Sequence, residues 1–218
     1  MKKVVIVHTS FVSVEDLKER FARLIPEVTV NHIVDDSLLA EVSKNGAITN
    51  SITERMVTYF REAQAVGADL IFNQCSSVGL AAGIAAKTVD VPVLRVDEAM
   101  AEKAVSLGSR IAVIVTVSST VHPSTQIIKD KAALLDKTVL VTPYLVDGAL
   151  ATLMSGDRET HNRLVKEAIL KAQEDNDVIV LAQGSMVGML PLLTDIKIPV
   201  LSSPELGVLK ARELLGFK

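Results

Sequence analysis

A chain of 218 residues, 49 % hydrophobic and 22 % charged, is long enough for a sizeable core and has the composition of a globular protein rather than a disordered one. Lys and Arg number 23 against 26 Asp and Glu, a net charge of −3, with no basic stripe and no Trp; this argues against nucleic acid or an anionic membrane as a partner. The single cysteine, Cys75, excludes an intramolecular disulfide and a multi-cysteine zinc site, and it fits a reducing, cytoplasmic compartment.

The first apolar run, Val4 to Val7, is too short for a secretion signal and predicts a strand over Lys3–Val7. Val14–Leu24 follows as a helix with Leu17, Phe21 and Leu24 on one face, then a strand over Thr29–Ile33. Ser51–Val66 sets Met56, Phe60 and Ala63 together and stops at Gly67. Asp69–Phe72 is a strand and Val78–Lys87 is helix-like. The uncharged stretch from Leu70 up to Lys87 contains Asn73, Gln74, Ser76, Ser77 and two glycines, so no membrane span is expected there. Next come a strand over Pro92–Val96, a helix over Glu98–Leu107 stopping at Gly108, and strands over Arg110–Val115 and Thr138–Val141. A helix over Glu159–Gln173, strands over Asp177–Leu181 and Pro199–Leu201, and a helix over Glu205–Leu215 stopping at Gly216 complete the chain. Glycine past each helix end is read as a left-handed stop. Most strands are continuous apolar runs, the mark of parallel strands buried on both faces, so the class is α/β.

The chain repeats itself. Asp69-Leu70-Ile71-Phe72-Asn73-Gln74-Cys75 aligns with Asp177-Val178-Ile179-Val180-Leu181-Ala182-Gln183, which sets Cys75 opposite Gln183. Pro92-Val93-Leu94 aligns with Pro199-Val200-Leu201, and Lys3 to Thr9 with Arg110 to Thr116. One period covers half the chain, which indicates a duplicated domain and not a solenoid. The expected architecture is two pseudo-symmetric halves, each a four-stranded parallel sheet flanked by helices: residues 1–97 joined by the C-terminal helix 204–218, and residues 98–203. No flexible linker separates them, so the ligand site is expected in an inter-domain cleft.

Ligands of open parallel sheets sit beyond the carboxyl ends of the strands. There this sequence places His8, Thr9 and Ser10; Asn73 through Ser77; Thr116 and Ser118 through Thr120; and Gln183, Gly184 and Ser185. Small hydroxyl residues leave main-chain N–H groups accessible to a carboxylate, although each also serves as an ordinary helix cap. Cys75, between a strand and a helix-like stretch, could take a proton from carbon or attack as a nucleophile, or be a buried inert thiol. His8 and His122 flank the same turns, whereas His32 lies in a strand and His161 on a charged helix. No histidine spacing suits a metal, and neither glycine-rich phosphate motif occurs, so no metal or nucleotide cofactor is expected.

Two equivalent α/β halves, the turn Asn73-Gln74-Cys75-Ser76-Ser77 and the turn Ser119-Thr120-Val121 together resemble the aspartate/glutamate/hydantoin racemase superfamily. The resemblance covers nearly the whole chain. It implies cofactor-independent proton transfer at the acidic carbon of a small carboxylic acid, amino acid or hydantoin, with one cysteine from each half flanking that carbon. It assigns Cys75 as the first acid/base. Thr9, Ser10, Ser76, Ser77, Thr116, Ser119 and Thr120 become substrate contacts, and Gln183, Gly184 and Ser185 join them at the second turn. Members often form homo-oligomers. The departure lies at Gln183, where the second cysteine belongs; an amide does not exchange protons usefully near neutral pH. His8 or His122 would then be the second acid/base, or the chemistry would be one-sided, as in the arylmalonate decarboxylases of the superfamily, or hydrolytic. A non-catalytic small-molecule binding protein is the alternative outside enzymology.

Overall fold

In the computed structural model, which describes residues 1–217, the elements run β1 (Lys2–His8), α1 (Val14–Leu24), β2 (Val28–Val34), α2 (Ser37–Asn45), α3 (Asn50–Ala65), β3 (Leu70–Asn73), α4 (Gly79–Ala85) and β4 (Val93–Arg95). They continue with α5 (Glu98–Leu107), β5 (Arg110–Val115), α6 (Val121–Leu134), β6 (Leu140–Leu145), α7 (Ala149–Met154), α8 (Arg158–Ala172), β7 (Val178–Leu181), β8 (Val200–Ser202) and α9 (Ser203–Leu214). Two four-stranded sheets result, in the orders β2-β1-β3-β4 and β6-β5-β7-β8, and every pairing is parallel. The chain divides into two compact units, Met1–Val96 with the segment from Pro204 onward, and Asp97–Ser203.

Strand alternation decides what each face of the first sheet meets. Val5, Val7 and Ile71 pack with Leu38 and Val42 of α2, Ile52, Met56 and Phe60 of α3, and Ala81 and Ala82 of α4. Val4, Ile6, Leu70 and Phe72 pack on the other face with Leu17 and Phe21 of α1 and Val208 and Ala211 of α9. The Phe21 and Phe72 rings meet edge to face at 5.5 Å. Each such side chain withdrawn from water contributes about 1.5–3 kcal/mol. In the second sheet Ala112, Ile114, Ile179 and Leu181 pack against Ala149 of α7 and Val165 and Ile169 of α8. Its opposite face is covered by α5 and α6.

Several sequence expectations shift. The sixth strand lies over Leu140–Leu145 rather than Thr138–Val141, because β6 is an edge strand that tolerates Pro143. Pro92 and Pro199 fall outside their strands, yet their carbonyls accept from Ile71 N and Ile179 N. The helix-like stretch Val78–Lys87 resolves into a 3₁₀ turn (Ser76–Val78), α4 and a second 3₁₀ turn (Ala86–Thr88). Gly67 and Gly216 adopt the expected positive φ, but Gly108 is extended (φ −169°). Glycine is needed there for space: a Cβ at Gly108 would stand 2.4 Å from Asp177 Cβ.

Candidate functional site

β3 is buried along its length and delivers Asn73, Gln74 and Cys75 to its carboxyl end. Gln74 N still donates to Val7 O (3.0 Å), so Cys75 is the first residue free of the ladder. It is extended (φ −114°, ψ 121°) and opens the 3₁₀ turn Ser76–Val78. The thiol is half-buried and packs beside the α2–α3–α4 face of the sheet. Asn73 fixes the turn by donating its Nδ2 to Cys75 O (3.0 Å). That bond settles the amide orientation, since a carbonyl accepts only from the nitrogen, and it leaves Asn73 Oδ1 buried without a partner. Gln74 Oε1 and Ser77 Oγ are buried without partners as well. Thr9, Ser76 and Ser77 are buried; Ser10 is half-buried.

His8 also ends its strand, but it has the parity of Val4 and Ile6, which face α1 and α9, away from the side on which Cys75 packs. Its Nε2 is 2.9 Å from His32 Nδ1 and its Nδ1 is 3.3 Å from Ser13 Oγ, just before α1. Burial, then the neighbouring His32 ring, lowers His8 from 6.5 to about 4, so the ring is neutral at pH 7. His32 is lowered too, by burial and by Lys18 against the pull of Glu15. Both ring nitrogens of His8 are thus engaged within the α1 side of the sheet.

The second unit repeats the turn with a different outcome. Ala182 N donates to Ile114 O (3.0 Å), and Gln183 is extended (φ −127°, ψ 142°) and opens the 3₁₀ segment Gly184–Leu192. Gln183 thus stands in the backbone setting of Cys75. Its Oε1 accepts from Thr116 N (3.0 Å) and Thr116 Oγ1 (3.4 Å), and its Nε2 donates to Thr120 Oγ1. The amide therefore bolts the end of β7 to the turn after β5. Thr116 and Thr120 are buried, and Thr120 also donates to Val117 O (2.7 Å). Gly184 is exposed and Ser185 half-buried. Ser119 Oγ is buried without a partner, as is Ser124 Oγ one turn into α6, a position the sequence did not single out. His122, also in the first turn of α6, is exposed. Among the described residues no three His, Cys, Asp or Glu side chains converge as a metal-binding group, and no helix is long and apolar enough to cross a membrane.

A polar cluster missed in the sequence borders the first strand end. Asp35, directly after β2, joins Ser37, Glu41, Arg55 and Tyr59. No local motif announces it, because its members are brought together from separate helices.

No curated protein matches the sequence. Residues 4–211 match the family model for Asp/Glu/Hydantoin racemase. Among solved structures, the fold resembles a glutamate racemase from Bacillus anthracis, with 16% identity over 98% of this chain and 81% of that one and a TM-score of 0.75. It also resembles allantoin racemase from Klebsiella pneumoniae, with 15% identity over 100% of this chain and 89% of that one and a TM-score of 0.68. Arylmalonate decarboxylase is similar at 15% identity over 98% of this chain and 92% of that one, with a TM-score of 0.63. At these identities the likeness is one of fold.

Proposed function

Because the chain belongs to the Asp/Glu/hydantoin racemase family, we propose that it is a cofactor-independent proton-transfer enzyme acting at the acidic carbon of a small carboxylic acid, amino acid or hydantoin, with Cys75 as the acid/base. The observation that carries this reading is the setting of the chain's one thiol. Cys75 leaves the ladder at the end of β3 within a turn, Asn73 to Ser77, in which three buried polar atoms, Asn73 Oδ1, Gln74 Oε1 and Ser77 Oγ, have no protein partner. Buried polar atoms are nearly always satisfied, so each of these calls for water or a bound ligand. In the proposed step the Cys75 thiolate takes the proton from the carbon next to the carboxyl or imide group. The electron pair delocalises onto oxygen, and the same Sγ–H returns a proton to carbon. Thr9, Ser10, Ser76 and Ser77, with main-chain N–H groups of the turn, are the proposed contacts to the charge that develops.

A second reading, a one-cysteine decarboxylase or lyase, is favoured by Gln183. Its amide is engaged at both ends by Thr116 and Thr120, and it neither accepts nor releases a proton usefully near neutral pH. In that chemistry the carbon–carboxyl bond breaks, carbon dioxide leaves, the electron pair stays on carbon, and Cys75 supplies the proton. Both readings give Cys75 one face of the substrate and leave the opposite face without a base.

The test is incubation in D₂O with amino acids, hydantoins, hydroxy acids and substituted malonates, followed by proton NMR, for wild type and Cys75→Ala. Deuterium incorporation or decarboxylation by the wild type alone supports the reading. No exchange with any compound, alongside a thermal shift from one of them that Cys75→Ala retains, would indicate a binding protein instead.

A further inference from the structure

We propose that Arg55 is a positioning residue that holds α2 against the turn carrying Cys75, so that its guanidinium controls access to the thiol from outside the site. Its catalytic consequence rests on the function proposed above; its effect on the thiol does not.

α2 adjoins the thiol. This short helix packs on the turn Ser76–Val78, and its two buried residues, Leu38 and Val42, share a cluster with Val78 and with Cys75 itself. A nine-residue helix is too short to persist by backbone propensity alone, so its placement depends on tertiary contacts. Arg55 of α3 supplies them on the polar side. Its Nη1 donates to Asp35 Oδ2 (2.9 Å) and to Ser37 Oγ (2.7 Å), and its Nη2 donates to Glu41 Oε2. One guanidinium thereby grips Asp35, two residues before α2, together with the first residue of α2 and its middle. Tyr59 OH adds a bond to Asp35 Oδ2 (2.6 Å), and Thr49 Oγ1 donates to Glu41 Oε1 (2.9 Å). The Asp35 backbone N–H donates to His8 O (3.1 Å), which moors the cluster to the end of β1.

The charges give the cluster its sensitivity. Arg55 stands between two carboxylates, and all three side chains are at least two-thirds withdrawn from water. Without the guanidinium, Asp35 and Glu41 would repel across a partly buried gap, and α2 would separate from α3 to hydrate them. Lysine, a single point of positive charge, cannot span both carboxylates as the planar fork does.

Cys75 is the only cysteine, so its alkylation in the native protein reports on this turn alone. The experiment measures the rate with iodoacetamide for wild type, Arg55→Lys, Arg55→Met and Glu41→Gln. A control, Val165→Ala in the core of the second unit, removes core packing without touching α2, α3 or the Cys75 turn. The expected result is an increase of about tenfold or more for Arg55→Met, a smaller one for Arg55→Lys and Glu41→Gln, and none for Val165→Ala. Where Arg55→Met fails to fold, Glu41→Gln carries the test, because it keeps the shape and removes one charge. Rates within about twofold of wild type, or an equal rise in Val165→Ala, overturn the proposal. Faster alkylation combined with no deuterium exchange by any variant or by wild type would leave Arg55 in this role while refuting the proposed enzyme function.

Discussion

His8 and Cys75 end adjacent parallel strands, β1 and β3, yet they serve different environments. Cys75 packs on the α2–α3–α4 side, whereas the His8 ring is enclosed with His32 and Ser13 on the α1 side. Burial keeps His8 neutral in the fold, with its pKa lowered from 6.5 to about 4. Between those values the unfolded chain binds a proton that the folded chain refuses. The stability present above pH 6.5 is therefore lost as pH falls toward 4, by on the order of 1–3 kcal/mol. Asp35, whose hydrogen bonds from Ser37 and Tyr59 and pairing with Arg55 outweigh the effect of burial, acts below its unfolded value of 3.8, outside this window. Urea denaturation of wild type and His8→Asn at pH 7 and pH 5 checks the assignment: the variant should lose less stability between the two. At this scale the shared backbone setting of Cys75 and Gln183, each extended and opening a 3₁₀ turn, was legible. The repeat alone set Cys75 opposite Gln183. The bonds of Gln183 to Thr116 and Thr120 were not readable, because they join residues more than sixty positions apart and depend on strand order.

Among the elements, legibility followed the strength of the apolar pattern. Val- and Ile-rich runs on central strands such as β1, β5 and β7 were read nearly to their ends, because both faces of each are buried. No clear apolar period in the sequence marks α2, α6 or α7. In α6 the first turn carries Pro123 and a run of hydroxyl residues that reads as a loop, although proline is tolerated in the first turn. Only Leu38 and Val42 are buried along α2, too few for a clear period. Close approach is also hidden until elements pack. A Cβ at Gly207 of α9 would lie 2.8 Å from Val96 O and 3.1 Å from Phe72 Cζ, and the backbone oxygen cannot rotate away. Gly207→Ala should therefore destabilise by about 1–3 kcal/mol despite alanine's better helix propensity, as read by thermal or urea melts.

For the whole molecule, chain order and compactness diverge. The first unit uses both ends of the chain: Val208 and Ala211 of α9 complete the cluster around Val4, Ile6 and Phe21, and Arg20 and Arg23 of α1 pair with Glu205. The second unit is continuous and has its own core. Residues 97–203 expressed alone should give a dispersed amide NMR spectrum and cooperative unfolding, whereas residues 1–96 without α9 should not. The plan of two four-stranded parallel sheets was legible because each half has the same order of strands and polar turns.

The central proposal is that acid/base chemistry acts on one face of the substrate, through Cys75. It is tested most directly by the configuration of the product. Using a single enantiomer of whichever compound exchanges, deuterium uptake and loss of optical purity are followed in the same D₂O sample; for a malonate, the enantiomeric composition of the decarboxylated acid is measured. Deuterium should enter with configuration retained, or one enantiomer of the acid should form. Racemisation as fast as deuterium uptake would contradict it, since that requires a second base on the opposite face.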